Sequence, residues 1–569
     1  GRGSGDIGND RAAQMIAGEF ARCGLKPLGT RRQKDTTAPL DGSGYYQPFT
    51  IEGGRVAGRR SRLEVRFGDR TVNYRPGTEF EPSGISAGGA AEGEIVFVGY
   101  GISAPGVNHD DYAHSIDVKG KIVLLFEGAP GRPTEGPLAN QGSIFRKAFT
   151  ARNRGAIAVL SIRERASDTP SSGFDQRTDA GIPVLRVRYP MAERWLNAQG
   201  LKIEEVQRRA DAGEFVSQPL NASARIYADV QKVSRTTANI VGMIEGSDPT
   251  LRDEYVIIGA HMDHLGFGGA GSMDRSGKPA IHYGADDNAS GTTGVLQLAA
   301  WFGPKSGNGS PVRLKRSLVL ICFSGEEMGL LGSVHYTRKP VVPLEKTVAM
   351  LNMDMIGRLR DNVLTIGGVT TAKEWPALLT EANQGVRLTL RDDAARPSDL
   401  FGASDHFPFY QREIPVLFFF TGLHADYHRP TDTADRINTA GMSRILQLVA
   451  EVTRLVADMP ARPTFQRMQT GNTSRPSMRF RVSMGIMPEY SAGEEGVLLG
   501  GVRPGGPAER AGLKAGDLIV KLDDRTVRNI EEYMLALSEK NAGDRVQVTV
   551  RRGDQTLTLT VTLEAPARQ

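Results

Sequence analysis

The spacing of hydrophobic positions changes several times along the chain. Ala13, Ile16, Ala17 and Phe20 recur at i, i+3, i+4 and i+7. That spacing predicts an amphipathic helix, capped by Asn9 or Asp10, running to about Cys23 and closed by Gly24. From Tyr45 to about Tyr227, short apolar runs between turn residues predict strands at 94–102, 120–126, 156–160 and 182–187, with a helix over 143–154. From Thr236 the runs are almost wholly apolar and alternate with helical stretches such as 293–302 and 441–458. Strands buried on both faces read this way, so a mostly parallel sheet covered by helices on both sides is expected. Residues 460–479 are polar and rich in Arg, Thr and Pro, and read as a linker. Period-two alternation returns at 546–550 and 557–563, beside a short amphipathic helix over 530–538.

Length and composition narrow this picture. At 569 residues the chain exceeds one hydrophobic core, and about three domains are expected. An apolar content of 39% with 24% charged residues is that of a globular protein. No apolar run approaches the roughly 20 residues of a membrane span. The net charge of +5 comes from arginines spread along the chain, a solvated basic surface and no nucleic-acid footprint. Cys23 and Cys322 sit in apolar settings as small hydrophobes, too few for a thiolate zinc site, and nothing in the sequence pairs them. The first residues, Gly1-Arg-Gly-Ser-Gly, show no signal peptide and read as a trimmed mature form.

Candidate chemistry lies where apolar runs meet acids or histidines. Tyr255-Val-Ile-Ile-Gly-Ala-His261 is followed by Met262 and Asp263. Gly284-Ala-Asp286-Asp287 opens the helix at 293, and Leu318–Phe323 leads into Ser-Gly-Glu326-Glu327. Leu351-Asn-Met ends on Asp354, and His428 arrives about seventy residues later. In an open α/β sheet the carboxyl ends of the strands face one crevice. A two-metal hydrolase needs a bridging carboxylate, a His or carboxylate for each ion, and one further carboxylate to take a proton from water. His261, Asp286, Glu326, Glu327, Asp354 and His428 supply those types. Spacing leaves open which of Glu326 and Glu327 is ligand and which is base.

Together, Gly-Ala-His261-Met-Asp263, Gly-Ala-Asp286-Asp-Asn-Ala-Ser-Gly, Ser-Gly-Glu326-Glu327, Asn-Met-Asp354 and Tyr427-His428-Arg-Pro-Thr-Asp-Thr433 resemble the co-catalytic zinc aminopeptidases. That family includes secreted bacterial leucine aminopeptidases and the glutamate carboxypeptidase II group. The resemblance covers about 11–28 and 236–458. It implies a three-layer α/β/α zinc-exopeptidase fold and two zinc ions per chain. Asp286 would bridge them, with His261 and Asp354 completing one site and Glu327 and His428 the other. Glu326 would be the general base, Asp263 would fix the tautomer of His261, and Tyr427 would donate to the developing oxyanion. His264, His282, His335 and His424 read as bystanders, with His264 and His424 near enough to touch substrate. Ser404-Asp405-His406 would shape the substrate side.

Two flanking modules also resemble known domains. Asp117-Val-Lys-Gly-Lys-Ile-Val is similar to the signature of protease-associated domains, with His109 and His114 read as exposed turn residues. Ala511-Gly-Leu-Lys-Ala-Gly-Asp517 is similar to a bacterial PDZ domain, whose Met484-Gly485-Ile486 loop would hold a peptide C-terminus. The expected organisation is a peptidase domain over 1–44 and 228–459, a protease-associated insertion over 45–227, the linker, and a PDZ domain over 480–565. The implied activity is removal of N-terminal residues from peptides bearing a free N-terminus, in the periplasm or outside a bacterial cell. A carboxypeptidase or dipeptidase, a glutaminyl-cyclase-like transferase, and a metal-free PDZ scaffold are the alternatives.

Overall fold

The computed structural model describes residues 1–30, 44–104, 108–131, 138, 141–163, 179–268, 271–274, 280–305, 312–392, 401–468, 482–488, 496–502, 505–538 and 540–564. The chain forms two compact units. One comprises Gly1–Ile51, Arg235–Asp523 and Leu537–Gln569; the other comprises Glu52–Ser234 and Asp524–Ala536.

The first unit carries the α/β fold expected from the apolar runs. Helix α1 (Ile7–Arg22) buries Ala13, Ile16, Ala17 and Phe20, the face the spacing predicts. It starts earlier than expected, with Asp6 at the N-cap position. Asn9 caps nothing: it is buried and its amide donates to Thr237 Oγ1 and Ser324 Oγ. Strands β1 (Val230–Ile244), β2 (Tyr255–His261), β3 (Ser317–Phe323), β4 (Thr347–Met353) and β5 (Val416–Phe420) form the centre of the sheet in the order β1-β3-β2-β4-β5. The four from β3 to β5 are parallel. β1 and the strand at Val363–Gly367 flank them antiparallel, so the sheet is mixed at its margins.

Alternate residues of these strands enter separate cores. Val256, Ile258, Leu318, Leu320 and Leu351 pack with α1, α2 (Gly291–Phe302) and α3 (Thr439–Asp458). Ile257, Val319, Ile321 and Met350 pack with Tyr336 and Phe409 on the other face. Both faces are therefore buried, which is why the runs carry no polar alternation. Part of the expected linker is docked: Phe465 bridges Ala372, and Arg462 pairs with Glu254. Its remainder, 469–479, lies outside the described residues. The C-terminal strands run in the order Ile486–Pro488, Val497–Val502, Leu518–Leu522, Arg545–Arg552, Gln555–Thr562.

The second unit holds a sheet that includes Gln218–Ala228, Gly89–Phe97, Ile122–Phe126, Ala158–Ile162 and Val184–Val187 in that order. The first predicted strand thus sits earlier, at 89–97, because Gly99 and Gly101 both take positive φ and turn the chain. His109 is not an exposed turn residue. Its side chain is 11% exposed and its Nε2 lies 3.3 Å from Asp111 Oδ2.

Candidate metal centre

The parallel strands deliver their carboxyl ends to one crevice, as the open-sheet rule requires. His261 is the last residue of β2, and Asp354 follows directly on β4. Gly325 turns the chain after β3 with φ +80°, placing Glu326 and Glu327 over the same edge. His428 comes from the loop after β5, with its ring Nδ1 donating to Gly271 O at 2.8 Å. That bond leaves Nε2 facing the carboxylates.

Two groups result. In one, His261 Nε2 lies 3.4 Å from Asp354 Oδ1 and 3.7 Å from Glu326 Oε2. In the other, Glu327 Oε2 lies 3.2 Å from His428 Nε2, while its Oε1 lies 2.6 Å from His264 Nδ1. Asp287 joins them, with Oδ1 3.4 Å from His261 Nε2 and Oδ2 3.1 Å from His428 Nε2. Potential ligand atoms of His261, Glu326 and Asp354 lie within 4.8 Å of one another, as do those of His264, Asp287 and Glu327.

This geometry corrects the expectation for Asp286. Its Oδ1 accepts from Gly357 N at 2.6 Å and its Oδ2 faces His424 Nε2 at 3.2 Å, away from the histidines of the cluster. Asp287 stands in the shared position instead. The reason is the turn at 284–288: Asp432 Oδ2 accepts both Asp286 N and Asp287 N, and this directs the two side chains to different partners. Asp263 also differs from expectation. His261 Nδ1 is 3.2 Å from the backbone oxygen of Asp263 and 3.8 Å from its carboxylate. The Asp263 carboxylate accepts instead from Glu326 N at 3.2 Å and from Ser4 Oγ at 2.6 Å.

The neighbours complete the centre. Ser404 Oγ donates to Asp354 Oδ2 at 2.8 Å. Tyr427 stacks on His428 with ring centroids 3.8 Å apart. His406 is fully buried and stacks on Phe418 at 4.5 Å, where burial lowers its pKa to about 3. A solvent-open cleft of about 410 Å³ lies against the cluster, lined by the apolar Met355, Phe418, Phe420 and Leu423 as well as by Tyr427 and His428, and Tyr427 packs on the cluster of Met355, Phe418 and Phe420. Sequence reasoning gave no role to Asp287, treated His264 as a bystander and passed over Asp432. The Asp-Asp pair and the Thr-Asp-Thr tail were the signals available.

Charge and burial set the protonation of the cluster. Burial raises the Glu326 carboxyl; His261 opposes this, and Glu327 and Asp354 add to it. Burial would raise Glu327 too, but hydrogen bonds with His264 and His428 prevail and lower it. His261 Nε2, His264 Nε2 and Asp354 Oδ1 are buried and make no hydrogen bond. An unsatisfied buried polar atom costs about 1–3 kcal/mol. Imidazole nitrogens and carboxylate oxygens converging in this way fit a divalent cation of the zinc type.

Residues 239–453 match the model of Peptidase family M28, and residues 480–563 match a PDZ domain. Aminopeptidase YwaD of Bacillus subtilis (strain 168) is 25% identical over 344 residues, spanning 58% of this chain and 70% of that protein. Aminopeptidase NAALADL1 of Mus musculus is 31% identical over 33% of this chain and 22% of its own length. The probable glutamate carboxypeptidase VP8 of Zea mays is 34% identical over 54% of this chain and 38% of its own length. The solved aminopeptidase from Aneurinibacillus sp. strain AM-1 is 21% identical, with a TM-score of 0.44, covering 84% of this chain and 94% of that one. The chain thus carries a Peptidase M28 domain followed by a PDZ domain. The protein is a hydrolase of the metallopeptidase kind. No described helix is long and apolar enough to cross a membrane.

Proposed function

We propose that this is a zinc-dependent aminopeptidase that removes N-terminal residues from peptides. The observation that carries the reading is Asp287 standing between the His261–Asp354 and His428–Glu327 groups. His261 and Asp354 would hold one zinc ion and Glu327 and His428 a second, with Asp287 shared. Bound zinc polarises a scissile carbonyl and lowers the pKa of a water toward neutrality. Glu326, raised by burial and by its acidic neighbours, takes the proton of the attacking water and passes it to the departing amine. Asp263 steadies that base through the Glu326 amide. Tyr427, beside His428 at the cleft, donates to the developing oxyanion.

The carboxylates around the centre suit a free α-ammonium, and the apolar lining of the cleft suits a hydrophobic first side chain. The β-rich second unit would be a protease-associated insertion, and the PDZ loop at Met484-Gly485-Ile486 would take a peptide C-terminus. Action on peptides outside the cytoplasm, in the periplasm or medium, fits such an enzyme. The test is metal content together with hydrolysis of leucine-anilide before and after chelation. Two zinc per chain and activity lost on chelation, then restored by zinc, are expected. Activity indifferent to chelation would rule the mechanism out.

A further inference from the structure

Residues preceding α1 run against the metal-bearing loops. The Arg2 guanidinium donates to three carbonyls: Nε to Met262 O at 2.9 Å, Nη1 to Tyr283 O at 2.6 Å and Nη2 to Gly284 O at 2.9 Å. Met262 follows the ligand His261, whereas Tyr283 and Gly284 lead into the Asp286–Asp287 turn. The two loops are joined further out by His282 N donating to Gly266 O at 3.0 Å and Ala280 N donating to Phe267 O at 3.3 Å, and nearer the centre they flank one rigid, planar donor fork. The Arg2 carbonyl in turn accepts from His264 N at 2.9 Å. Two residues on, Ser4 Oγ donates to Asp263 Oδ2, the carboxylate whose other oxygen accepts the Glu326 amide. A charged donor on a carbonyl is stronger than a neutral one, and a guanidinium cannot lose its charge here. The same cation faces the charges of Asp263, Asp287, Asp432 and Glu327.

We propose that Arg2 and Ser4 are positioning residues of the metal centre: Arg2 fixes the spacing of the His261 and Asp287 loops, and Ser4 fixes Asp263 and through it Glu326. This rests on the metal reading above. An arginine merely filling space would need none of the three bonds, and a lysine could not reproduce the fork.

The test compares the parent chain with Arg2→Met, Arg2→Lys and Ser4→Ala. Zinc affinity is measured by competition with a chromophoric chelator, the visible spectrum after cobalt substitution, and the melting of the metal-free protein. Arg2→Met should bind zinc at least tenfold more weakly and shift the cobalt spectrum while the metal-free protein melts as the parent does. Arg2→Lys should fall between the two. Parent-like affinity and spectrum in Arg2→Met would overturn the proposal. So would weakening matched by an equal loss of metal-free stability. Should Arg2→Met fail to fold, Ser4→Ala decides: a lowered kcat at unchanged KM upholds the Asp263 link, and parent kinetics refute it. A parent that binds no zinc would overturn the metal reading and the clamp with it; equal binding by parent and variant overturns the clamp alone.

Discussion

Asp286 and Asp287 are neighbours in sequence with separate tasks. Asp287 presents its carboxylate to His261 and His428, and Asp286 turns to Gly357 N and His424. Their substitutions should therefore separate cleanly. Asp287→Asn should leave the protein short of metal and lower kcat/KM by about a thousandfold, as loss of a shared ligand implies. Asp286→Asn should keep its metal and lose stability by about 1–3 kcal/mol, since the Gly357 amide keeps only a neutral acceptor and the carboxylate oxygen facing His424 is replaced by an amide nitrogen. Metal analysis alongside thermal melting checks both.

Glu326 sits at the cleft with its amide held by Asp263 and its carboxyl raised by burial. Glu326→Gln preserves shape and removes the base. Zinc content should be that of the parent, with kcat lower by about 10²–10⁴ and KM little changed. A variant with full zinc and full activity would move the base elsewhere.

The sequence made much of this legible, and the exceptions have physical causes. Runs such as Leu318–Phe323 announce a strand buried on both faces, and an acid or histidine at the end of such a run must meet the crevice. That logic identifies His261 and Asp354, which sit at or one residue past a strand end. It cannot separate Asp286 from Asp287, because both follow a turn whose direction is set by Asp432, far along the chain. Likewise nothing local marks His264 as a partner of Glu327, since that contact depends on how the β2 and β3 loops fold over one another. Asn9 read as a cap from its residue type, yet tertiary partners Thr237 and Ser324 claim it.

The metal-free centre holds His261 and His428 charged at neutral pH. Burial alone would lower the His428 pKa, but hydrogen bonds to Asp287 and Glu327 raise it to about 10. His261 is likewise raised, with Glu326 and Asp354 outweighing burial. Coordination requires the neutral ring nitrogen, so loading with zinc at pH 7 should release about two protons per chain. Calorimetric titration in buffers of different ionisation enthalpy measures this. Zinc affinity should climb with pH between about 6.5 and 10. The His428 contribution to metal-free stability runs the other way. It is full below about pH 6.5 and is lost as pH rises toward 10, because the folded pKa is the higher one.

Met355, Phe418, Phe420 and Leu423 give the cleft much of its lining in apolar side chains. Among aminoacyl-anilides, kcat/KM should favour Leu, Met and Phe over Asp by well over a hundredfold, since a charged side chain there has no partner. A single methylene is worth about 1–3 kcal/mol in such a pocket. Leu423 is half exposed at the rim, its carbonyl held by Arg360. Leu423→Ala should therefore lower kcat/KM for leucine-anilide about tenfold or more and leave the alanine substrate almost unaffected. Equal losses on both substrates would place Leu423 outside the pocket.

Asp432 carries more of the centre than its distance along the chain suggests. It is fully buried. One oxygen accepts the amides of Asp286 and Asp287, and the other takes Arg358 Nη2 at 3.1 Å. Arg358 also leans on Asp426 at 3.4 Å, which Arg436 holds in turn. Asp432→Ala strips two amides of their acceptor and leaves Arg358 with a single carboxylate. Breaking a buried pair costs about 3–5 kcal/mol, and the surviving Asp426 contact puts this case near the lower end. Asp432→Asn keeps an oxygen for the amides and loses only the charge, so it should cost less. Because the amides in question set the direction of Asp287, both variants should also weaken zinc binding, Ala more than Asn. Melting temperatures with and without zinc separate the two effects: the gap between them should shrink in both variants. An undiminished gap would mean that Asp432 braces the fold without aiming Asp287.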